Sequence, residues 1–200
     1  MLLSAASLQK KLKEAESELA IASLMLSNLR KEAAKKLELA IKTNLQDLNF
    51  LDVKFEIVFD ELENYTASGK DDVEFMISMN PGEPVRALGD VASGGELSRI
   101  MLAIKTVMAE KDQIETLIFD EIDVGISGRT AQKVSEKMAV IGKNHQVICI
   151  THLAQIAAMA DAHYAIEKKV VDGKTKTMIS LLNKEQEIAE LARILGGAMI

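Results

Sequence analysis

Leu8, Leu12, Ala15, Leu19, Ala22, Leu26, Leu29 and Ala33 recur at alternating steps of four and three residues. That spacing is a heptad seam, the stripe one helix offers to a second in a coiled coil. Leu37, Ile41, Leu45 and Leu48 continue it at wider steps, as a stutter in the supercoil does. Lys, Glu, Ser and Gln fill most other positions, and neither Gly nor Pro falls before Gly69. The pattern predicts one helix from about Ser7 to Leu48, roughly 60 Å long. So regular a seam fits a two-stranded coiled-coil arm better than a helix folded onto its own domain. Residues 1–50 are therefore expected to form an arm and 51–200 a separate lobe.

From Val53 the period changes to two. Phe55, Ile57 and Phe59 alternate with charged or smaller residues, as do Val73, Phe75 and Ile77, predicting two strands joined around Ala67-Ser68-Gly69-Lys70. Asn80-Pro81-Gly82-Glu83-Pro84 then breaks the chain. Helices are expected at about Gly95–Glu110, 128–141 and 153–159, alternating with apolar strands at 114–120 and 146–151. Strands 162–168 and 176–182 flank Asp172-Gly173, a type I′ hairpin signal, and a last helix from Lys184 to Leu195 stops at Gly196-Gly197. Buried strands alternating with helices imply an α/β fold with a parallel sheet.

Composition narrows the class. At 200 residues and 48% hydrophobic, the chain can bury a sizeable core and is not a disordered protein. Aromatics make up 4% and Trp is absent, so Leu, Ile, Ala and Met must fill that core. The single Cys149, inside Val147-Ile148-Cys149-Ile150, reads as a small core residue of a cytosolic protein. No apolar run approaches the roughly 18–20 residues of a membrane span, and no basic leader opens the chain, so neither anchor nor signal peptide is expected. A net charge of −6 argues against a DNA-coating protein. The charge is uneven: residues 1–50 hold eight Lys/Arg against six Asp/Glu, the remainder sixteen against twenty-four.

Two motifs carry chemistry. Ser93-Gly94-Gly95-Glu96-Leu97-Ser98-Arg99 places a glycine turn at the start of a helix, where free N–H groups and the helix dipole favour an anion. Ser93 can cap that helix and also donate to a phosphate oxygen. About twenty residues on, Leu117-Ile118-Phe119 ends in Asp120-Glu121, two carboxylates at the carboxyl end of a strand, where open α/β sheets place ligands. In a nucleotide site Asp120 would hold Mg²⁺, usually through water, and Glu121 would orient or deprotonate the attacking water. Thr151-His152 closes the next strand at the matching end, making His152 a γ-phosphate contact. Asp123 either caps the following helix or shapes the loop. His145 and His163 have no such context. One Cys and three scattered His give no zinc spacing, and no Gly-x-Ser-x-Gly elbow is present. Gly173-Lys174-Thr175 mimics the end of a Walker A motif, but Lys168 stands where its first glycine belongs. Together the two strings resemble the signature motif and the Walker B motif of an ABC-type ATPase; no P-loop precedes them, and the chain reads as half of an enzyme.

Several further strings extend the likeness. Asn80-Pro81-Gly82-Glu83-Pro84, Val91 through Ala103, Asp120-Glu121-Ile122-Asp123-Val124-Gly125-Ile126-Ser127-Gly128-Arg129, Ile150 through Gln155, and Glu190 through Gly197 resemble the RecN family of bacterial DNA-repair proteins, within the SMC-like and ABC-type ATPases. The D-loop aspartate of most ABC ATPases falls at Ser127, where RecN proteins carry a Val-Gly-Ile-Ser-Gly run.

The resemblance implies the C-terminal lobe of a P-loop NTPase head of ABC/SMC type, with a long N-terminal coiled-coil helix. The activity it implies is ATP hydrolysis in recombinational repair of DNA double-strand breaks. Implied cofactors are ATP and Mg²⁺. Implied partners are the N-terminal half with its Walker A lobe, a second protomer joined through ATP, and DNA, in the bacterial cytoplasm at the nucleoid and with no membrane. Ser93, Gly94, Gly95 and Glu96 would touch ATP held by the opposite protomer; Asp120, Glu121 and His152 would serve ATP bound by their own head. The chain alone is expected to be inactive. Two other readings remain open: a coiled-coil interaction module that has lost ATPase function, and half of another SMC-like or ABC ATPase such as a transporter subunit.

Overall fold

The computed structural model describes residues 5–91, 93–171 and 173–196. Helix α1, Ala5–Asp47, is unbroken over 43 residues, as a stretch without Gly or Pro and rich in Leu, Ala, Lys and Glu should be. Its seam has two fates. Leu8, Leu12, Leu19 and Leu29 are exposed, whereas Ile41, Leu45 and Leu48 are fully buried.

The chain divides into two compact units, one of residues up to Thr43 with Asp52–Asp90, the other of Asn44–Leu51 with everything from Val91 on. In the first unit, β1 (Lys54–Thr66) and β2 (Gly69–Ser78) form an antiparallel hairpin, and β3 (Arg86–Ala87) adds a short third strand against β2. Phe55 and Ile77 face each other in the register and are buried. The Phe55 and Phe75 rings meet edge-on at 5.6 Å. Helix α1 is tied to the hairpin by polar contacts: Arg30 donates to the Ser68 carbonyl and to Asp71, each at 2.8 Å, and the Ile57 N–H donates to Glu38 at 2.7 Å. Neither Arg30 nor Lys31, which lies over the Phe59 ring at 5.8 Å, is a purely solvated charge.

The second unit holds the α/β part. Strand β4 (Thr116–Phe119) leads through α3 (Gly128–Ile141) to β5 (Gln146–Cys149), and the two strands pair parallel in the register Thr116↔Gln146 to Phe119↔Cys149. Helix α2 (Gly94–Met108) packs with α3 through a core of Ile100, Leu102, Ala103, Ala131, Val134 and Ile141. Fully burying each branched side chain there contributes about 1.5–3 kcal/mol. The end of α1 joins this unit, where Lys137 donates to Asn44 at 2.6 Å and to Asp47 at 2.8 Å.

A one-turn helix α4 (Ala154–Ala157) follows, then the antiparallel hairpin β6 (Tyr164–Val171) and β7 (Lys174–Leu181), and finally α5 (Lys184–Ile194), started by an Asn183–Gln186 capping box. Helix α4 is shorter than the expected 153–159, and β4 and β5 are shorter than 114–120 and 146–151. Pairing in the last hairpin runs the other way, continuing to Val171↔Lys174. Gly173 has φ 72°, the left-handed conformation its turn needs; Asp172 and Gly197 lie outside the described residues. No helix among the described residues is long and apolar enough to cross a membrane.

Candidate functional site

The site starts at the first turn of α2. Ser93 is its N-cap, in an extended conformation, and its hydroxyl accepts the Glu96 N–H at 3.4 Å. The next two residues are glycines because the loop after β4 lies directly on them. A Cβ on Gly94 would overlap the Glu121 carboxylate, and one on Gly95 would sit 2.9 Å from the Glu121 carbonyl oxygen and 3.1 Å from the Val124 Cβ. The Glu121 carboxylate thus lies at the N-terminus of a helix, where unpaired N–H groups and the dipole stabilise negative charge.

Three further contacts hold this loop to α2. The Ser98 hydroxyl donates to the Asp120 carbonyl at 2.7 Å. The Arg99 guanidinium reaches the carbonyls of Ile122 at 3.3 Å and Val124 at 2.8 Å. Arg99 is buried and lies over the Phe50 ring at 5.5 Å. Burial pushes its guanidinium down from the ordinary value, with the nearby Glu96 acting the other way. Within the loop, the Glu121 N–H donates to Asp120 Oδ1 at 2.9 Å and the Val124 N–H to the Glu121 carbonyl at 3.0 Å. Glu121 is held at φ 56°, left-handed backbone that a non-glycine residue adopts at a cost of about 1 kcal/mol.

The loop is tied to the end of β5 by Asp123, which is 3% exposed. Its Oδ2 accepts the Thr151 hydroxyl at 2.6 Å and the His152 N–H at 2.8 Å, and lies 3.0 Å from His152 Nδ1. The structure therefore brings together two sets of the expected residues. Ser93, Gly94, Gly95 and Glu96 open α2 against Asp120 and Glu121, while His152 is joined to the same loop through Asp123. Asp123 shapes the loop; the N-cap of α3 is Ser127. Arg99 was legible only as one letter of a string, although an arginine four residues after Gly95, beside the apolar Ile100, marks a cation aimed inward.

Cys149 lies just below this edge. Burial, with Asp123 and Asp120 adding to it, pushes its thiol up to about 12, so it is an inert neutral side chain. His145 bridges the carbonyls of Ala109 and Ile114, at 2.8 and 2.7 Å, and His163 meets the Ala157 carbonyl at 2.8 Å, so both are structural.

The first turn of α2 is covered: Gly95 is buried under the Glu121 carbonyl and Val124, and the Glu121 carboxylate lies over Gly94, so an anion reaching these N–H groups would require that side chain to rotate aside. Mg²⁺ fits in a limited way. No cluster of three or more His, Cys, Asp or Glu among the described residues could hold a metal alone. The chain would supply Asp120, and phosphate oxygens and water the rest, which is how Mg²⁺ is usually bound.

No protein-family model matches the chain. It is 43% identical over 194 residues to the DNA repair protein RecN of Halalkalibacterium halodurans, covering 95% of this chain and 34% of that protein. Against the DNA repair protein RecN of Bacillus subtilis it is 40% identical over 209 residues, covering 97% of this chain and 36% of that protein. The chain matches the C-terminal part of the RecN family. It spans about a third of the length of these curated relatives. Among solved structures, the Smc head domain with a coiled coil and joint from Pyrococcus yayanosii superposes with a TM-score of 0.52 at 23% identity, covering 92% of this chain and 35% of that one. The fold is thus α/β, of the SMC head type, with a long N-terminal helix.

Proposed function

We propose that this chain is the C-terminal lobe and returning coiled-coil helix of a RecN-type ATPase that acts in repair of DNA double-strand breaks. The observation that carries the reading is the Gly94–Gly95 turn that opens α2 behind its N-cap Ser93, with Asp120 and Glu121 exposed at a strand end on the loop that packs on it. Residues 1–50 serve as the arm and 51–200 as the lobe. The N-terminal half supplies the Walker A lobe and the partner helix, DNA is the polymer acted on, and the setting is the bacterial cytoplasm at the nucleoid.

Each residue has a distinct task. Ser93, Gly94, Gly95 and Glu96 receive the phosphates of ATP held by a second protomer, through backbone N–H groups and the serine hydroxyl. Asp120 would hold Mg²⁺, through water, and the ion would supply neutralisation of phosphate charge there. Glu121 orients the attacking water and accepts its proton, and His152 contacts the γ-phosphate. ATP bridging two heads in this way joins them, and its hydrolysis releases them.

The test is Mg²⁺-dependent ATP hydrolysis after mixing the chain with a separately expressed N-terminal half of the same protein. Turnover is expected only in the mixture, with Glu121→Gln lowering it about a hundredfold or more. A stable mixture with no turnover, with or without DNA, would leave the chain a coiled-coil interaction module.

A further inference from the structure

We propose that Arg99 is the positioning residue for Glu121: its buried guanidinium, set on α2, holds the backbone of the turn that carries the acid. That Glu121 acts on water rests on the ATP reading above; the hold on the turn does not.

Gly95 and Arg99 stand one helical turn apart and so share a face of α2. The loop after β4 packs on that face. The glycine supplies room, since a Cβ there would sit 2.9 Å from the Glu121 carbonyl oxygen and 3.4 Å from Arg99 Nη1. The arginine supplies donors: Nη1 donates to the Val124 carbonyl at 2.8 Å and to the Ile122 carbonyl at 3.3 Å. Both carbonyls belong to the turn that Glu121 begins, which the Val124 N–H closes on the Glu121 carbonyl at 3.0 Å. Glu121 itself has φ 56°, left-handed backbone that a non-glycine residue keeps only where its surroundings impose it.

The position asks for donors as well as bulk. Arg99 is 7% exposed, and its guanidinium lies over the Phe50 ring at 5.5 Å. Its Nε is buried with no hydrogen-bond partner, so it is Nη1 that bonds the side chain to the turn. A cation is costly to bury, and an apolar side chain of the same length would fill the space against Phe50 without that cost. It would also leave the Ile122 and Val124 carbonyls without these donors. The presence of arginine is therefore explained by the turn it holds, and that turn presents Glu121.

Hydrogen–deuterium exchange of the chain, read at residues 120–126, tests the hold without nucleotide. Arg99→Met keeps the length and removes the donors. It is expected to speed exchange there roughly tenfold or more, with α3 and β5 unchanged; unchanged exchange at 120–126 overturns the proposal. Phe50→Leu, which trims the ring under the guanidinium and leaves both carbonyl bonds, should stay near the wild-type rate, and equal loosening by the two variants would make Arg99 a packing residue only. If Arg99→Met does not fold, the wild type decides: the Arg99 Nη1 protons should exchange at least about tenfold more slowly than those of exposed Arg129, and equal rates overturn the proposal. In the completed head, Arg99→Met should lower kcat roughly ten- to hundredfold with KM for ATP little changed, and Arg99→Lys, which keeps a donor, should recover part of the loss. Added to Glu121→Gln, Arg99→Met should cost little more, because the acid it positions is already gone; losses that add in full would overturn the positioning role. A wild-type head without turnover would instead sink the ATP reading and leave the hold on the turn to the exchange rates.

Discussion

Gly94 and Gly95 are adjacent, yet the structure separates their reasons for being glycine. Alanine inside a helix is ordinarily favoured over glycine by about 1 kcal/mol. At Gly95 that gain is reversed, because the new Cβ would press on the Glu121 carbonyl and the Val124 Cβ, neither of which can swing away. Gly95→Ala is expected to destabilise the chain by about 1–3 kcal/mol. At Gly94 the obstacle is the far end of the Glu121 side chain, which can rotate aside. Gly94→Ala should change stability by less than about 0.5 kcal/mol while blocking close approach of an anion. Urea unfolding of both variants checks the contrast, and equal destabilisation would contradict it. The two glycines were legible in the sequence as a turn, and Asp120, Glu121 and His152 as polar groups at strand ends. Which residues join them was not. Asp123 and Arg99 act through burial and through contacts to residues more than twenty positions away, which no local spacing reveals.

At the scale of elements, periodicity located the five α-helices among the described residues and both central strands, with α3 at its observed bounds, but made the two strands too long. The reasons are side-chain hydrogen bonds that compete with the sheet. Strand β4 begins at Thr116 rather than 114, because the Ile114 N–H donates to Asp112 and the Ile114 carbonyl faces His145. Strand β5 ends at Cys149 rather than 151, because Asp123 takes the Thr151 hydroxyl and the His152 N–H. The two-residue strand β3, paired with β2 at Met76↔Ala87 and Ile77↔Arg86, carries too little pattern to predict. His145 is the staple here. Both ring nitrogens meet carbonyl oxygens, which only accept, so the protonated ring makes both bonds and the neutral ring one.

Those carbonyls, Ala109 first and Ile114 second, raise the His145 value above 6.5; Asp112 reinforces the effect, while burial and Lys105 oppose it. A raised folded value means that the contribution to stability is complete below about pH 6.5. It is lost as pH climbs through the folded value. The urea midpoint of the wild type should therefore fall between pH 6 and pH 8.5 by more than that of His145→Gln. Parallel slopes for the two proteins would contradict the staple.

At the scale of the molecule, the surfaces left exposed are as patterned as the core. The early seam of α1 shows Leu8, Leu12, Leu19 and Leu29. One face of the last hairpin shows Tyr164, Ile166, Val170, Ile179 and Leu181. Apolar rows of this extent are what a partner lobe and a partner helix would cover. The stripe on α1 was legible because it is strictly periodic; that its later part, Ile41, Leu45 and Leu48, is buried was not. The hairpin face was not, because alternation in a two-stranded ribbon does not say which side is covered.

The central claim is that the start of α2 and the Asp120–Glu121 pair of one chain serve two different ATP molecules. It is tested most directly by mixing variants of the completed head. Ser93→Arg should block the anion site on α2 and Glu121→Gln the water-activating acid, and each alone should be nearly inactive. Combined in equal amounts, they form mixed pairs in which one site has an intact Ser93 from one partner and an intact Glu121 from the other. ATP hydrolysis rising to about a quarter of the wild-type rate, as random pairing with one working site in half the pairs requires, would uphold the account. Activity no greater than that of the separate variants would contradict it, because both groups would then serve the same nucleotide.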